Sequence, residues 1–395
     1  MSNVSTLKGE SVTTVEPFSV IATPFAWPVC EAIPRRQWLY DRHLIRGFVS
    51  ATVAASGVGK STLKFAECLS MVSARALLHG AAPSASLNVW IWNGEDPREE
   101  LERRIAAAAK HYSLTQDDCA GSLFVDSGRD QTIVIAETTR TGTLIVRPVV
   151  DAIKAELKRR KIDVLIVDPF VSSHRVSEND NNAIDAVARE WAGIANDAQC
   201  AIELVHHSRK TGGGEVTIED ARGASALIAA SRSARVINPM SPDEAARAGV
   251  DNPRAYFRSD NGKSSMSPPS DKATWFRLVS VDIGNASEDE PGDHVGVVEA
   301  WTWPDPLDEV SVHDLRAVQA IVAGGSWRAN IQAADWVGHA VAQALRLDAS
   351  NKQHKAKIIG LLKIWKSTGM LVEVEGKDEK RKPRTFVEVG TPAND

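Results

Sequence analysis

From Phe48 onward, short apolar runs alternate with longer stretches of helical periodicity. Phe48–Ala55, Leu87–Asn93, Ser122–Asp126, Val164–Asp168 and Ala201–Val205 read as buried strands. Between them lie four predicted helices, Lys60–Leu78, Pro97–His111, Pro148–Lys161 and Asn182–Ala198. In the last, Ile184, Val187, Trp191, Ile194 and Ala198 fall on one helical face. Strand–helix alternation of this kind predicts βαβ units on a mostly parallel sheet, an α/β fold. After about residue 233 the pattern changes. Ala234–Asn238, Ala255–Arg258, Trp275–Ile283 and Gly296–Trp303 are strand-like with no long helix between them, which predicts an antiparallel extension of the same sheet.

Residues 1–33 are rich in Ser, Thr and Pro and read as an irregular lead-in to a core over 34–303. The Trp-Pro-Asp-Pro run at 303–306 opens a linker, placed at 304–311. Beyond it come three predicted helices, Val312–Ala323, Ala333–Leu347 and Lys355–Thr368, then a hairpin of Leu371–Glu375 and Thr385–Val389. That order over 312–390 suggests a small α+β domain of winged-helix type, with 391–395 as a tail.

Composition narrows this only a little. At 395 residues the chain exceeds what one core usually organises, and 43% apolar with 25% charged residues is ordinary for a globular protein. Forty-six basic against 51 acidic residues give −5, which excludes a uniformly basic nucleic-acid coat but not a local patch. The four cysteines form no CxxC pair, so neither a disulfide scaffold nor a zinc ribbon is expected. No apolar run reaches the roughly 18 residues of a membrane helix, and the first twenty lack the order of a signal peptide. A cytoplasmic protein without membrane partners is the expectation.

The chemistry starts at Ala54-Ala-Ser56-Gly57-Val58-Gly59-Lys60-Ser61-Thr62, between a predicted strand and a predicted helix. This is the context of a phosphate-binding loop, in which glycines let backbone N–H groups turn toward phosphate oxygens. Lys60 would reach the β- and γ-phosphates, and the Ser61 hydroxyl would ligate Mg²⁺. The pattern's usual first glycine is here Ala54, a small residue that keeps the turn if its φ is negative. Asp168, delivered by the apolar strand Val164–Asp168, is the expected second holder of the Mg²⁺ shell. ATP and Mg²⁺ are therefore the expected cofactors.

Hydrolysis also requires a group that orients or deprotonates water. Pro169 follows Asp168, so that group must come from another strand. Glu95, at the tip of the strand ending in Asn93, is the candidate base, with Asp96 expected to cap the following helix. Capping by both acids is the alternative. His206 and His207 end a third strand, where a histidine can sense the terminal phosphate by a hydrogen bond. Which of the two does so stays open, and no third ligand lies at a metal-site spacing.

Together, the GVGKS loop, Glu95-Asp-Pro, Val-Asp168, His206-His-Ser-Arg-Lys and Arg222-Gly-Ala-Ser-Ala-Leu resemble the RepA plasmid-helicase family. These are hexameric RecA-like ATPases related to the DnaB motor, and the resemblance spans roughly residues 35–285. It implies a ring with ATP sites between subunits. Such a site needs a cation from the neighbour to stabilise charge on the transferring phosphoryl group. Arg232 matches the family's arginine-finger position with Arg235 as fallback, and Lys263 matches a second basic residue of the family, expected to reach phosphate as well. The loops after Asp168 (Ser172-Ser-His-Arg175) and after His207 (Ser208-Arg-Lys210, then Gly212–Gly214) would face a central channel and follow single-stranded DNA.

The C-terminal module departs from that family. Residues 352–384 hold ten Lys/Arg against four Asp/Glu, with Lys380-Arg381-Lys382 at the hairpin tip, an arrangement suited to duplex DNA or, equally, to a solvated loop. The expectation is an oligomeric, ATP-driven DNA helicase or translocase of a plasmid, phage or integrated element. The alternatives are an ATP-controlled DNA-binding switch and a recombination or repair ATPase.

Overall fold

The structure, a computed structural model, describes residues 20–80, 82–119, 121–208, 215–218, 225–268 and 272–393. The chain divides into two compact units, Met1–Arg36 and Gln37–Asp395. The described part of the first has no regular secondary structure apart from one 3-10 turn at Cys30–Ala32.

The second unit opens with a hairpin, β1 (Trp38–Tyr40) and β2 (Leu44–Ile45). Then come β3 (Val49–Ala54), α1 (Lys60–Ser73), β4 (Val89–Asn93), α2 (Arg98–His111), α3 (Gln116–Cys119) and β5 (Leu123–Ser127). A second hairpin, β6 (Ala136–Thr139) and β7 (Gly142–Ile145), leads to α4 (Arg147–Arg160), β8 (Val164–Asp168), α5 (Asn181–Ala198) and β9 (Ala201–His207). The core closes with α6 (Ser225–Ala230), β10 (Ser233–Pro239), α7 (Pro242–Ala248), β11 (Tyr256–Ser264), β12 (Thr274–Asp282) and β13 (His294–Ala300). Neither hairpin is anticipated by the hydrophobic pattern, because each strand is short.

Nine strands form one sheet in the order β13-β12-β11-β10-β3-β9-β8-β4-β5. From β10 to β5 the neighbours run parallel, and β10 to β13 are antiparallel. This is the RecA-like P-loop core with its antiparallel extension. β9 lies between the phosphate-loop strand β3 and β8, so the tips of β3, β9, β8 and β4 stand side by side.

Because strand side chains alternate, each central strand feeds two cores. Ile202 and Leu204 pack with Ile153 of α4 and Val187 and Trp191 of α5 on one face. Ala201 and Val205 pack with Phe65 and Leu69 of α1 and Leu101 of α2 on the other. The helical face read for α5 is buried through Ile184, Val187, Trp191 and Ile194, and Asp180 caps it by accepting from Asn182 and Ala183 N–H.

The C-terminal module runs α8 (Val312–Ala323), β14 (Trp327–Arg328), α9 (Val337–Leu345), α10 (Lys352–Ser367), β15 (Leu371–Lys377) and β16 (Pro383–Val389). Its sheet has the order β14-β16-β15 over its own core of Val318, Val341, Ile358, Leu361 and Trp365. The expected linker is not a bare tether. Trp303 packs with Trp275 and Trp301 under Arg247 of α7. A Cβ on Gly360 would lie 2.4 Å from Pro306 Cγ, so α10 accepts the linker there only because the residue is glycine. α10 also packs on α7, and Lys352 pairs with Asp251 at 3.4 Å.

Candidate active site

The C-terminal ends of β3, β4 and β9 border one cavity of about 790 Å³, lined by Ser56, Gly57, Gly59, Lys60, Ser61, Thr62, Glu95 and His207 among others. Ala54 closes β3 as an ordinary buried strand residue. The loop then turns through Gly57 (φ 79°) and Gly59 (φ 105°), the latter acting as N-cap of α1. The positive φ requires glycine at 59, and a Cβ there would also sit tightly, 3.2 Å from the Phe257 ring. Val58 packs instead with the apolar cluster of Leu63 and Phe257. The N-terminus of α1 thus presents free N–H groups and its dipole to the cavity, which suits an anion.

Ser61 donates its hydroxyl to the Asp168 carboxylate, the main influence lowering a pKa that burial raises. One oxygen from each, beside a phosphate-binding turn, is the donor chemistry Mg²⁺ accepts. Asp168 itself is almost fully buried at the end of β8, behind Ser61 rather than in the cavity wall.

Lys60 Nζ is 2.9 Å from His207 Nδ1, and Ser56 Oγ is 3.1 Å from the same atom. An ammonium can only donate, so Nδ1 accepts and the ring proton sits on Nε2. Nε2 has no hydrogen-bond partner among the described residues and lies 3.8 Å from Glu95 Oε1. Burial and the Lys60 charge both push the His207 pKa below its ordinary value, while Glu95 opposes. Burial likewise lowers the Lys60 pKa, against the pull of Asp168 and Glu95. Lys60, His207 and Glu95 thus form a chain of polar groups across the cavity. Asn93 Oδ1 holds the backbone of this tip by accepting from Glu95 N–H at 3.0 Å and Asp96 N–H at 2.8 Å.

Three readings change. Asp96 does not cap α2: the N-cap is Pro97, and the Asp96 carboxylate instead pairs with Arg104 at 3.1 Å. His206 does not face the nucleotide cavity. By strand alternation it belongs to the α5 face, where it lies 6.3 Å from the Phe170 ring and 3.9 Å from Glu178. His174, expected on the channel loop, is buried beside Phe170 at 4.8 Å. Of that loop's cations, Arg175 is exposed and pairs with Glu137 at 3.2 Å. Arg209, Lys210, Gly212–Gly214 and Arg222 lie outside the described residues.

The two arginine candidates separate clearly. Arg235 is committed to the interior, donating to Glu67 at 2.6 Å and Thr52 at 2.9 Å. It belongs to a buried ionic cluster in which Lys64 Nζ meets Glu203 at 2.5 Å and Glu67 at 3.3 Å, and His43 meets Glu203 at 2.9 Å. The Glu67 pKa is held down at about 2 by Arg235 and Lys64, against burial. Arg232 is exposed, its backbone N–H bonded to Val49 O at the N-terminal end of β3. Five residues at ~3.3 Å each place it about 16 Å along the strand direction from the phosphate loop. Lys263 sits opposite Ala234 at the same edge, bonded to the carbonyls of Ile228 and Ala229. Neither cation can reach the cavity of its own chain.

The cavity also holds groups that the sequence pattern does not single out. Arg103 and Arg104 of α2 line it, as do Asp293, just before β13, and His294, its first residue. The basic pair in Arg-Glu-Glu-Leu-Glu-Arg-Arg was a visible signal, but an amphipathic solvated helix carries the same signature. Among the described residues no helix is long and apolar enough to cross a membrane. The family of the AAA domain matches residues 14–213, a span holding the phosphate loop, Glu95, Asp168 and both strand-end histidines.

Proposed function

The chain belongs to the AAA-domain family of P-loop ATPases, and from that premise we propose a DNA helicase or translocase whose ATP sites are each completed by a second copy. What supports the shared site is one observation: the phosphate loop and Arg232 stand at opposite ends of the same parallel sheet. A cation about 16 Å from its own loop serves catalysis only if copies stack head to tail, bringing one chain's Arg232 edge against the next chain's cavity.

Bound ATP and Mg²⁺ supply the electrophilic terminal phosphoryl group and its charge neutralisation. In that site Lys60 and the N-terminus of α1 would hold phosphate oxygens, and Ser61, with Asp168 bonded behind it, would hold the metal. Glu95 accepts the proton of the attacking water. His207, bonded to Lys60 in the structure, would lose that partner to a bound phosphate and so could report the phosphate's presence through β9. Arg232 and Lys263 of the second copy balance the charge spreading over the transferring group.

We read the C-terminal order of helix, strand, two helices and hairpin as a winged helix. Single-stranded DNA in the channel, a ring and work on a mobile element are part of the proposal, and the resemblance to the RepA plasmid-helicase family is what supports them.

The test mixes two damaged proteins. Arg232→Ala should bind ATP nearly normally but turn it over slowly, and Lys60→Ala should do neither. Mixed assemblies contain sites with intact Lys60 and a neighbour's intact Arg232, so ATPase activity should recover in part, and single-stranded DNA should stimulate it. No recovery in mixtures shown to exchange subunits would place Arg232 outside the reaction.

A further inference from the structure

The C-terminal module presents an apolar groove of about 650 Å³ between α10, β15 and the β14–α9 segment, lined by Ile331, Trp336, Ile359, Leu362 and Val372 with Lys363 at its rim. Three of these apolar side chains stand well out of the core, Ile331 at 41%, Ile359 at 42% and Val372 at 36% exposure. This is the α10 face that a winged helix would offer to duplex DNA, but its composition is wrong for phosphate. Four of the ten local cations are engaged within the protein: Lys352 with Asp251, Lys357 with Asp308 O, Lys366 with Glu373 and Arg384 with Asp378. The strand beside the groove adds exposed Glu375, which repels a polyanion.

The N-terminal unit carries the complementary feature. Between Val20 and Pro34 the chain exposes Val20, Ile21, Phe25, Trp27, Val29 and Ile33, with Phe25 at 74% and Trp27 at 91%. Phe25 and Trp27 stand edge to face, 5.3 Å apart, between Pro24 and Pro28. Prolines hold such a segment extended before it binds, which lowers the entropy cost of docking. Its one ionisable acid is Glu31, opposite in sign to Lys363, for which no partner is seen among the described residues.

We propose that this groove is the receptor for the Phe25–Trp27 segment of a second copy, so that adjacent subunits are tied by an arm as well as by the ATP site. The choice of a second copy rests on the shared-site reading above; the pairing of groove and arm does not. Trp27 and Phe25 supply aromatic anchors to an apolar cleft, and Glu31 meets Lys363 at the rim, the arrangement of a hot spot with a polar border.

A fluorescent peptide of residues 20–36 is titrated into the full chain carrying Phe25→Ala and Trp27→Ala, which leaves the groove without competition from arms in the sample. Saturable binding is expected, weakened about tenfold or more by Ile359→Glu in the receptor or by Trp27→Ala in the peptide. Val372→Lys, on an exposed strand position, repeats the test should Ile359→Glu unfold. Undiminished binding to both groove variants overturns the proposal. So does displacement of nothing by the peptide alongside tight binding of a 20-base-pair duplex that both variants abolish, because the face would then belong to DNA. Light scattering of the arm-deficient chain with ATP should show smaller assemblies than the parent. If peptide binding holds while assembly is unchanged, the arm docks within its own chain and the second-copy proposal falls. Failure of the Lys60/Arg232 mixing experiment with peptide binding intact would count against the shared site alone.

Discussion

At the scale of single residues, the site separates binding from chemistry. Lys60 is the cation at the start of α1, on the phosphate loop itself, so Lys60→Ala should abolish nucleotide binding, read by titration of a fluorescent ATP analogue. Glu95→Gln keeps shape and hydrogen bonding but cannot accept a proton. It should bind normally and lose turnover by about 10²-fold or more; wild-type turnover would remove Glu95 as the base. The buried histidines give a pH signature. His174 and His206 are each depressed by burial from 6.5 to about 4. The unfolded chain therefore binds more protons than the folded one between these values, so stability is fully present above 6.5 and is lost as pH falls toward 4. Each contributes about 1.4 kcal/mol per pH unit across that window. Thermal melts from pH 7 to 4.5 should show the decline, and His206→Gln should flatten it.

At the scale of elements, α1 has two functions on successive turns. Lys60 faces the cavity, and Lys64, one turn on, enters the buried cluster with Glu203, Glu67 and Thr52. That cluster joins the phosphate-loop helix to β9 and, through Arg235, to the strand that starts beside Arg232. Removing one charge strands its partners without water. Lys64→Ala should cost about 3–5 kcal/mol of stability, measured by urea unfolding, while Lys64→Met with Glu203→Leu should recover part of it. Equal losses in the single and double variants would mean that the cluster's charges are not what the fold depends on. The pattern of the strands was legible in sequence to within a few residues, because a period of two and a period of 3.6 are local properties. The hairpins β1–β2 and β6–β7 were not, since strands of two to four residues carry too little periodicity to register.

At the scale of the whole molecule, the C-terminal module is laid against the core by α10 on α7, Pro306 on Gly360 and the Trp275–Trp301–Trp303 cluster. Sequence alone favoured a loose linker at 304–311, because Trp-Pro-Asp-Pro reads as a break whichever surface covers it. Removing 307–395 should therefore leave nucleotide binding in place but lower the core's melting temperature by several degrees, at about 2–4 °C per kcal/mol lost. Calorimetry of the truncated chain checks this, and an unchanged Tm would restore the tether.

Sequence by itself determined the phosphate loop, the Glu95 and Asp168 strand ends and the α/β class. Each of these is set by residue type and spacing within some twenty residues, where backbone geometry leaves few choices. What only the tertiary structure decided is which residues meet. β9 inserts between β3 and β8, and its two-residue alternation sends His207 to Lys60 and His206 to Phe170, a choice of face that adjacent identical residues cannot signal. Arg232 and Arg235 are likewise alike in sequence. The pairing of β10 with β3 leaves the first on an open edge and the second closed over Glu67, because burial and partnership depend on chain segments more than 160 residues away.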